Sequence, residues 1–164
     1  MPIEVVLEDG RWETLNVVVL ASQGFNAVMQ YFELDPQIYE VEILACDDNR
    51  IAELNFDFRG IEKSTNVLSW PSVDRSPGSE GQFPTKIMRD SDGFMGDIAM
   101  SYDTCLREGN ESERKVEHHI SHLFVHAMLH LMGFDHENDK DAVLMETIEV
   151  EILGKMGIDS PYRE

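Results

Sequence analysis

The sequence predicts an α+β fold, because four short strand-like segments are interspersed with longer segments of helical pattern. Its 164 residues are the length of one ordinary domain, enough for one sizeable core and too few for two. Apolar residues make up 42% of the chain and charged residues 27%, which is close to globular averages and excludes a disordered or fibrous chain. No repeat or linker marks a second unit, so we expect a single domain over residues 1–164.

The first part of the chain predicts a strand, a helix, a second strand and a second helix. IEVVLE (3–8) is a short strand, and the apolar spacing of residues 12–32 favours a helix over most of that segment. YEVEILAC (39–46) alternates polar and apolar residues, which is typical of a half-buried strand. Residues 47–49 are polar side chains suited to cap a helix that continues to about Phe58.

The middle of the chain predicts two further strands around an irregular segment. NVLSWP (66–71) is a short apolar run closed by a proline, and GDIAMSYD (96–103) is a second strand candidate. Between them, SVDRSPGSEGQFP (72–84) has the serine, proline and glycine content of a mobile loop.

The last part of the chain predicts two helices. The first extends from Glu111 to Leu131 and is stopped by Gly133. The second follows Asp139 as DAVLMETIEVEILGKMG and ends at Gly157.

The net charge of −19 is unevenly distributed along the chain. Residues 1–57 and 91–164 each sum to −10, whereas residues 58–90 sum to +1. A field of this sign repels polyanions, which excludes a generic nucleic-acid coat protein. The middle segment is where an anion would meet the least repulsion, and its bases are Arg59, Lys63, Arg75, Lys86 and Arg89.

Cysteine usage and hydropathy favour a cytoplasmic protein with no membrane partner. Cys46 and Cys105 lack the CxxC spacing of a redox or zinc pair, so we expect free thiols in a reducing compartment. No segment approaches the roughly 20 apolar residues of a membrane span, and residues 1–10 lack the pattern of a signal peptide.

All six histidines lie between positions 118 and 136, and three of them predict a metal site. His126 and His130 are four residues apart on one helix face, so both imidazoles reach one ion. Gly133 breaks the helix and allows the chain to return His136 as a third ligand. Three imidazoles with a fourth position left to water form a catalytic site, and we expect one Zn²⁺ per chain. A helix with surface histidines is the alternative, but it leaves the joint placement of the histidines and the glycine unexplained.

The other three histidines have less specific positions. His118 and His122 continue the four-residue ladder toward the helix start, where either a ligand role or a packing role is open. A packing role, or a role supporting a ligand without binding the ion, is favoured, because each further turn carries the ring away from the ion. His119 points elsewhere on the helix and is predicted to lie on the surface.

The HxxxHxxGxxH spacing of this helix is also that of the metzincin proteases, whose motif is HExxHxxGxxH. In that motif the glutamate after the first histidine is the general base, and this chain has Ala127 there. A zinc-bound water would still be acidified, to a pKa of about 7 in favourable sites, but the proton acceptor of the peptidase is missing. A protease of this type is therefore disfavoured.

Residues 126–136, HAMLHLMGFDH, closely resemble the signature H-G-x-L-H-L-x-G-Y-D-H of the YbeY family. That family comprises bacterial ribosomal-RNA maturation factors, described as single-domain, metal-dependent endoribonucleases. Further segments that resemble the family are LNFDFRGIEKSTNVLSWP (54–71), GDIAMS (96–101) and METIE (145–149). The resemblance covers roughly residues 35 to 157.

The resemblance implies a mixed sheet of about four strands packed with helices, the metal helix among them. It also implies that His126, His130 and His136 hold zinc and that Arg59 is a functional arginine nearby. The implied partners are ribosomal RNA and the ribosomal particle, with a ribosomal protein or a GTPase to be considered; no oligomeric state is predicted. Asn66 stands where the family usually has aspartate, so any role that needs a carboxylate there is in doubt.

Arg59 has a physical rationale beside the resemblance. It lies in the near-neutral segment, and a guanidinium can bind phosphate oxygens through paired charge-assisted hydrogen bonds and stabilise transition-state charge. The alternative is a solvated arginine at the end of a helix.

Several other polar and aromatic residues have ordinary structural interpretations. Ser69 and Ser101 lack a GxSxG context, and Asp97 is most simply a strand-edge carboxylate. Asp135 either orients an imidazole or caps the broken helix, whereas Glu146 and Glu149 are expected to form a helix face with ordinary hydrogen bonds or ion pairs. Trp70 is expected in the core, and for Phe83 core packing and base stacking remain equally open.

The function predicted is a zinc-dependent, single-strand-specific endoribonuclease of ribosomal-RNA maturation and ribosome quality control. The metal site follows from the spacing, and the RNA substrate follows from the resemblance alone. One alternative is a ribosome-assembly factor with a mainly structural zinc. Another is a metal-dependent hydrolase of a different phosphoester or amide.

Overall fold

A computed structural model describes residues 3–89 and 93–162, and its centre is a mixed four-stranded sheet. The strands lie in the order β1-β2-β4-β3; β1, β2 and β4 are parallel, and β3 pairs antiparallel with β4 at one edge. The bounds are Ile3–Leu7 for β1, Glu40–Cys46 for β2, Val67–Pro71 for β3 and Phe94–Ser101 for β4. The prediction of a mixed sheet of four strands is confirmed.

Five α-helices pack around this sheet within the described residues. They are α1 (Val17–Tyr31), α2 (Asp48–Arg59), α3 (Tyr102–Glu111), α4 (Val116–Met132) and α5 (Asp139–Lys155). Two short 3-10 segments, Gly10–Leu15 and Lys86–Arg89, complete the helical structure. None of the helices in the described ranges is long and apolar enough to cross a bilayer.

Strand β2 shows how the sheet divides the helices into two layers. Val41, Ile43 and Ala45 are buried in the main core with α1, α4 and α5, whereas Leu44 and Cys46 pack on the opposite side toward α2. Alternate residues of a strand point to opposite faces, so the predicted alternation holds where Glu40 and Glu42 are exposed on the face opposite Val41 and Ile43. It ends at residues 44–46, where both faces of the strand are covered.

Helix α4 is the best-buried helix and contacts strands β3 and β4 as well as helices α1, α3 and α5. Its crossing with α1 depends on Gly24, because a Cβ atom there would lie 2.7 Å from Cδ2 of Phe124. The glycine therefore lets two helices approach closely. This tight packing fixes the helix that carries the histidines.

The start of the first predicted helix differs from the sequence prediction, whereas the predicted cap of α2 is confirmed. The helix predicted from residue 12 begins as the 3-10 segment Gly10–Leu15, and Asn16, with a φ of 52°, separates that segment from α1. The expected cap of α2 is confirmed, since the Asp47 side chain accepts a hydrogen bond from the backbone N–H of Arg50 at 2.9 Å.

The end predicted for the fourth strand, Asp103, and the start predicted for the following helix, Glu111, were both wrong. Strand β4 ends at Ser101, and α3 follows at once. Glu113, with a φ of 61°, then interrupts the helical conformation before α4 begins at Val116. Helix α3 was missed because its sequence, YDTCLREGNE, is mostly polar and contains a glycine.

The loop over residues 72–84 is irregular, as predicted, but it is anchored through Arg75. This side chain is only 2% exposed, and its Nη1 atom donates to the carbonyl oxygens of Leu131 at 2.8 Å and Met95 at 3.0 Å. The expectation that Arg75 is a base available to an anion was therefore wrong. Its guanidinium instead satisfies a carbonyl in the last turn of α4 and joins that turn to the loop.

Candidate metal centre

The last two turns of α4 bring His126 and His130 together, with their Nε2 atoms 3.0 Å apart. Gly133 then ends the helix with a φ of 111°, a left-handed conformation that few other residues adopt. The chain turns back, and the ring of His136 comes to 5.3 Å from that of His126 and 5.1 Å from that of His130. The ligand nitrogens of all three lie within 4.8 Å of one another.

Hydrogen bonds at the far side of two rings orient them. Nδ1 of His130 lies 3.0 Å from the carbonyl oxygen of Phe134, and Nδ1 of His126 contacts the Glu149 carboxylate. A carbonyl and a carboxylate only accept, so each Nδ1 is the donor and each lone pair is on Nε2. Two such lone pairs 3.0 Å apart repel each other unless a cation lies between them, so this donor set fits a divalent metal.

The charge states of these groups also suit a metal. Burial, with the neighbouring imidazoles of His126 and His136, lowers the pKa of His130 to about 4, so this ring is neutral near pH 7. Burial acts to raise the pKa of Glu149, but hydrogen bonds from His122 and His126 outweigh it and bring the pKa to about 2. A neutral imidazole near an ionised carboxylate is typical of zinc sites.

Glu149 was expected to be an ordinary residue of a helix face, and that interpretation was incomplete. Its side chain is fully buried and meets three groups: Nδ1 of His126, Nε2 of His122 at 3.2 Å and the hydroxyl of Tyr162. The available signal was its place on the apolar stripe of α5, next to Ile148 and Ile152. A carboxylate on a buried helix face needs partners.

His122 belongs to a second group of neighbouring ligand atoms, with His126 and Glu149. In that group the nitrogens of both histidines already face the carboxylate oxygens at hydrogen-bonding distance. The group of His126, His130 and His136 leaves the Nε2 atoms of its helix pair free, so it is the better metal candidate. A supporting role for His122, favoured from the sequence, agrees with this geometry.

A cleft of about 630 Å³ opens beside the histidines, between α4, the end of α2 and strand β3. His126, His130 and His136 lie on one wall, and Arg59, the last residue of α2, is on another. Arg59 is exposed, and among the described residues it has no hydrogen-bond or ion-pair partner. Arg59 and the three histidines thus line one cleft.

Asn66 also lines this cleft, and its hydrogen bonds explain a neutral side chain at this position. Its Nδ2 atom donates to Glu108 at 2.9 Å, and its Oδ1 atom accepts from the backbone N–H of Val67 at 2.6 Å. Glu108 also binds Nε2 of His119 at 2.9 Å, so the prediction that His119 is a plain surface residue was wrong. An aspartate here would place two carboxylates in contact.

Two aromatic residues near the loop have structural partners. Phe83 packs edge-on against Phe134 at a centroid distance of 5.3 Å and against Phe32 at 5.9 Å. This favours packing over base stacking for Phe83. Trp70 was expected in the core, but it is only partly buried, packs on Phe58 at 5.0 Å and lines the cleft.

Two of the remaining polar candidates, Asp135 and Ser101, have structural partners. Asp135 accepts a hydrogen bond from the backbone N–H of His136 at 2.7 Å, so it caps the turn rather than orienting an imidazole. Ser101 donates to Asp48 at 2.6 Å and is fully buried, as its structural interpretation requires. Burial also raises the pKa of the Cys46 thiol to about 12, so this cysteine is not a nucleophile.

Comparison with known proteins gives consistent matches along the whole chain. The family model described as Endoribonuclease YbeY matches residues 7–157. Two proteins named Endoribonuclease YbeY also match, each over 99% of this chain. The protein from Ruegeria sp. (strain TM1040) is 47% identical to this chain, and the protein from Jannaschia sp. (strain CCS1) is 44% identical to it. The alignments cover 96% and 100% of those two proteins.

One solved structure also resembles this fold. A protein from Thermotoga maritima, determined in solution, superposes with a TM-score of 0.55 at 19% sequence identity, over 99% of both chains. At this identity the likeness concerns the fold alone.

Proposed function

This chain belongs to the Endoribonuclease YbeY family, and we propose that it is a single-domain, zinc-dependent enzyme that cuts single-stranded ribosomal RNA. In this proposal it acts in the cytoplasm on the ribosomal particle, in ribosomal-RNA maturation and ribosome quality control. A ribosomal protein or a GTPase is the proposed class of protein partner. The observation that carries the proposal is the convergence of His126, His130 and His136 beside a cleft that Arg59 also lines.

The three histidines would hold one Zn²⁺ through neutral ring nitrogens. Bound there, the ion would supply a Lewis acid that acidifies water and polarises a phosphoryl oxygen. Glu149 and the carbonyl of Phe134 hold the two helix imidazoles in the orientation that this binding needs. His136, on the turn after Gly133, is the most exposed of the three and would supply the third ligand.

Arg59 would bind the phosphate of the RNA strand. Its guanidinium has no competing partner among the described residues, so its donors are available to phosphate oxygens. Strand β3 and Trp70 form the adjoining wall, which is partly apolar and suits an unstacked nucleotide. Ala127 follows the first histidine where the metzincin motif has its general-base glutamate, which disfavours a peptidase of that type.

Cleavage of a single-stranded ribosomal-RNA fragment by the purified protein tests this function. We expect activity in the zinc-loaded wild type, none in His130→Ala or chelator-treated protein, and a loss of about 100-fold or more in Arg59→Ala. Arg107→Ala is the matched control, because Arg107 is exposed on α3 and does not line the cleft.

Undiminished cleavage in the metal-free protein would overturn the proposal. Ribosome association without cleavage, in a protein that holds zinc, would favour an assembly factor with a structural metal. Full activity in Arg59→Ala would remove the phosphate-binding role from that residue.

A further inference from the structure

The C-terminal tail after α5 returns to the metal centre and is attached at three points. Ile158 is buried in the main core at 7% exposure. Arg114, in the turn before α4, donates through Nη1 to the carbonyl of Asp159 at 3.1 Å and through Nη2 to that of Ser160. Tyr162 then reaches Glu149.

The Tyr162 hydroxyl donates to Oε2 of Glu149, and Oε1 of the same carboxylate accepts from Nδ1 of His126. The Tyr162 ring also stands edge-on to His122, with centroids 5.6 Å apart. One carboxylate therefore connects the tail directly to a candidate metal ligand. Glu149 has no exposed side-chain surface, so water cannot replace a lost donor without a local rearrangement.

We propose that Tyr162 is a positioning residue of the metal centre: its hydroxyl fixes the Glu149 carboxylate, which in turn orients the His126 imidazole. The inference rests on the proposed metal-dependent function and adds that the tail takes part in retaining the metal. Hydrogen bonds to the groups behind a ligand set its orientation and basicity, and losing them weakens metal binding.

A matched control exists on the same helix. Tyr31 donates its hydroxyl to Glu151, which lies on α5 two positions after Glu149 but outside the cleft and the histidine cluster. Tyr31→Phe removes one tyrosine–glutamate hydrogen bond from α5, as Tyr162→Phe does. It leaves the contacts of His126 unchanged.

Zinc affinity of the full chain, measured by competition with a chromophoric chelator, tests the inference. We expect Tyr162→Phe to bind zinc about 10-fold more weakly than wild type, with Tyr31→Phe unchanged. Cobalt loaded in place of zinc should show an altered visible absorption spectrum in Tyr162→Phe alone. Equal zinc affinity in wild type and Tyr162→Phe would overturn the inference, as would an equal loss in both variants.

A double-mutant cycle separates positioning from a general effect on folding. If Tyr162 acts through Glu149, adding Tyr162→Phe to Glu149→Gln should cause no further loss of zinc affinity. Additive losses would contradict the proposed route. The metal-free Tyr162→Phe variant should keep a cooperative urea transition, with a midpoint lowered slightly by the loss of one buried hydrogen bond. Loss of that transition would indicate that the hydroxyl is needed for folding rather than for positioning.

The tail attachment offers a second, independent variant. Arg114→Ala removes both donors to the tail carbonyls and should lower zinc affinity, whereas Arg107→Ala should not. Zinc affinity and RNA cleavage are separate readouts. If the wild-type protein binds zinc but cleaves no RNA, the proposed function is wrong and this inference is unaffected. If Tyr162→Phe binds zinc as tightly as wild type, this inference is wrong and the proposed function is unaffected.

Discussion

Glu149 contributes a buried carboxylate to the metal centre from helix α5, and its oxygens meet His126, His122 and Tyr162. Its ionised state is maintained by these hydrogen bonds against the cost of burial, which alone would raise its pKa. Losing any one of these hydrogen bonds changes the geometry and strength of the other hydrogen bonds to the same carboxylate. The orientation of His126 therefore depends on a residue 23 positions away along the chain.

Replacing Glu149 with glutamine should weaken zinc binding by about 10- to 100-fold, the usual effect of losing a group that holds a metal ligand. Glutamine has one acceptor oxygen, so it cannot accept from Tyr162 and His126 on separate oxygens. Chelator competition measures the loss. Glu151→Gln is the control, because Glu151 lies on the same helix, accepts from the Tyr31 hydroxyl and lies outside the cleft and the histidine cluster; wild-type affinity in Glu149→Gln would contradict the account.

The residues of this centre differ in how far the sequence predicts their positions. His126, His130 and His136 follow from helical spacing and one glycine, which are local properties of the chain. Glu149 and Tyr162 join them through tertiary packing of α5 and the tail, and no local pattern encodes that contact. Arg75 was misjudged for a related reason, since arginine is seldom fully buried and its carbonyl partners come from distant segments.

At the scale of elements, the end of α4 and the loop over residues 72–84 form one structural unit. Gly133 sits against the backbone of Arg75, where a Cβ atom would lie 2.2 Å from the carbonyl oxygen. The Arg75 side chain meanwhile donates to the carbonyl of Leu131. The turn that presents His136 is thus held from both sides by the same loop residue.

Gly133→Ala should destabilise the protein by at least about 1–3 kcal/mol, the cost of a strained left-handed backbone, before the clash with Arg75 is counted. It should also lower zinc affinity, because His136 follows the turn. Gly154→Ala is the control: a Cβ atom there meets nothing within 4 Å, and the change in helix α5 should stabilise by about 0.4–1 kcal/mol. Urea unfolding measures both, and an unchanged midpoint for Gly133→Ala would contradict this account of the turn.

Strong periodic patterns predicted most elements, whereas helix α3 needed tertiary context. Its buried residues are Thr104, Cys105 and Gly109, which form a weak apolar signal. Gly109 also allows close contact with α4, since a Cβ atom there would lie 3.0 Å from Cγ2 of Val116. A polar helix of this kind is recognisable once its neighbours are known.

At the scale of the whole molecule, the charge distribution limits how the protein meets RNA. The net charge of −19 opposes contact with phosphate, and Arg75, one of the bases in the near-neutral segment, is buried. Arg59 remains free at the cleft. The protein should therefore depend on the ribosomal particle or a partner to deliver the RNA strand, rather than on broad attraction to the RNA backbone.

Binding to arbitrary single-stranded RNA should accordingly be weak and only slightly dependent on salt. We expect the slope of log K against log salt to be no steeper than about −1.5, equivalent to about two phosphate contacts in a single strand. Fluorescence anisotropy with a labelled oligonucleotide across a salt series measures this slope. Tight binding with a steep slope would show that the acidic surface does not limit RNA association.

The most direct test of the central claim is the rate of ribosomal-RNA cleavage as zinc is restored to metal-stripped protein. The claim is that His126, His130 and His136 hold one catalytic metal ion beside a cleft for RNA. The predicted result is no cleavage without metal and a rate that rises with added zinc to saturate at one ion per chain. Cleavage that proceeds at the full rate before any metal is added would contradict the claim.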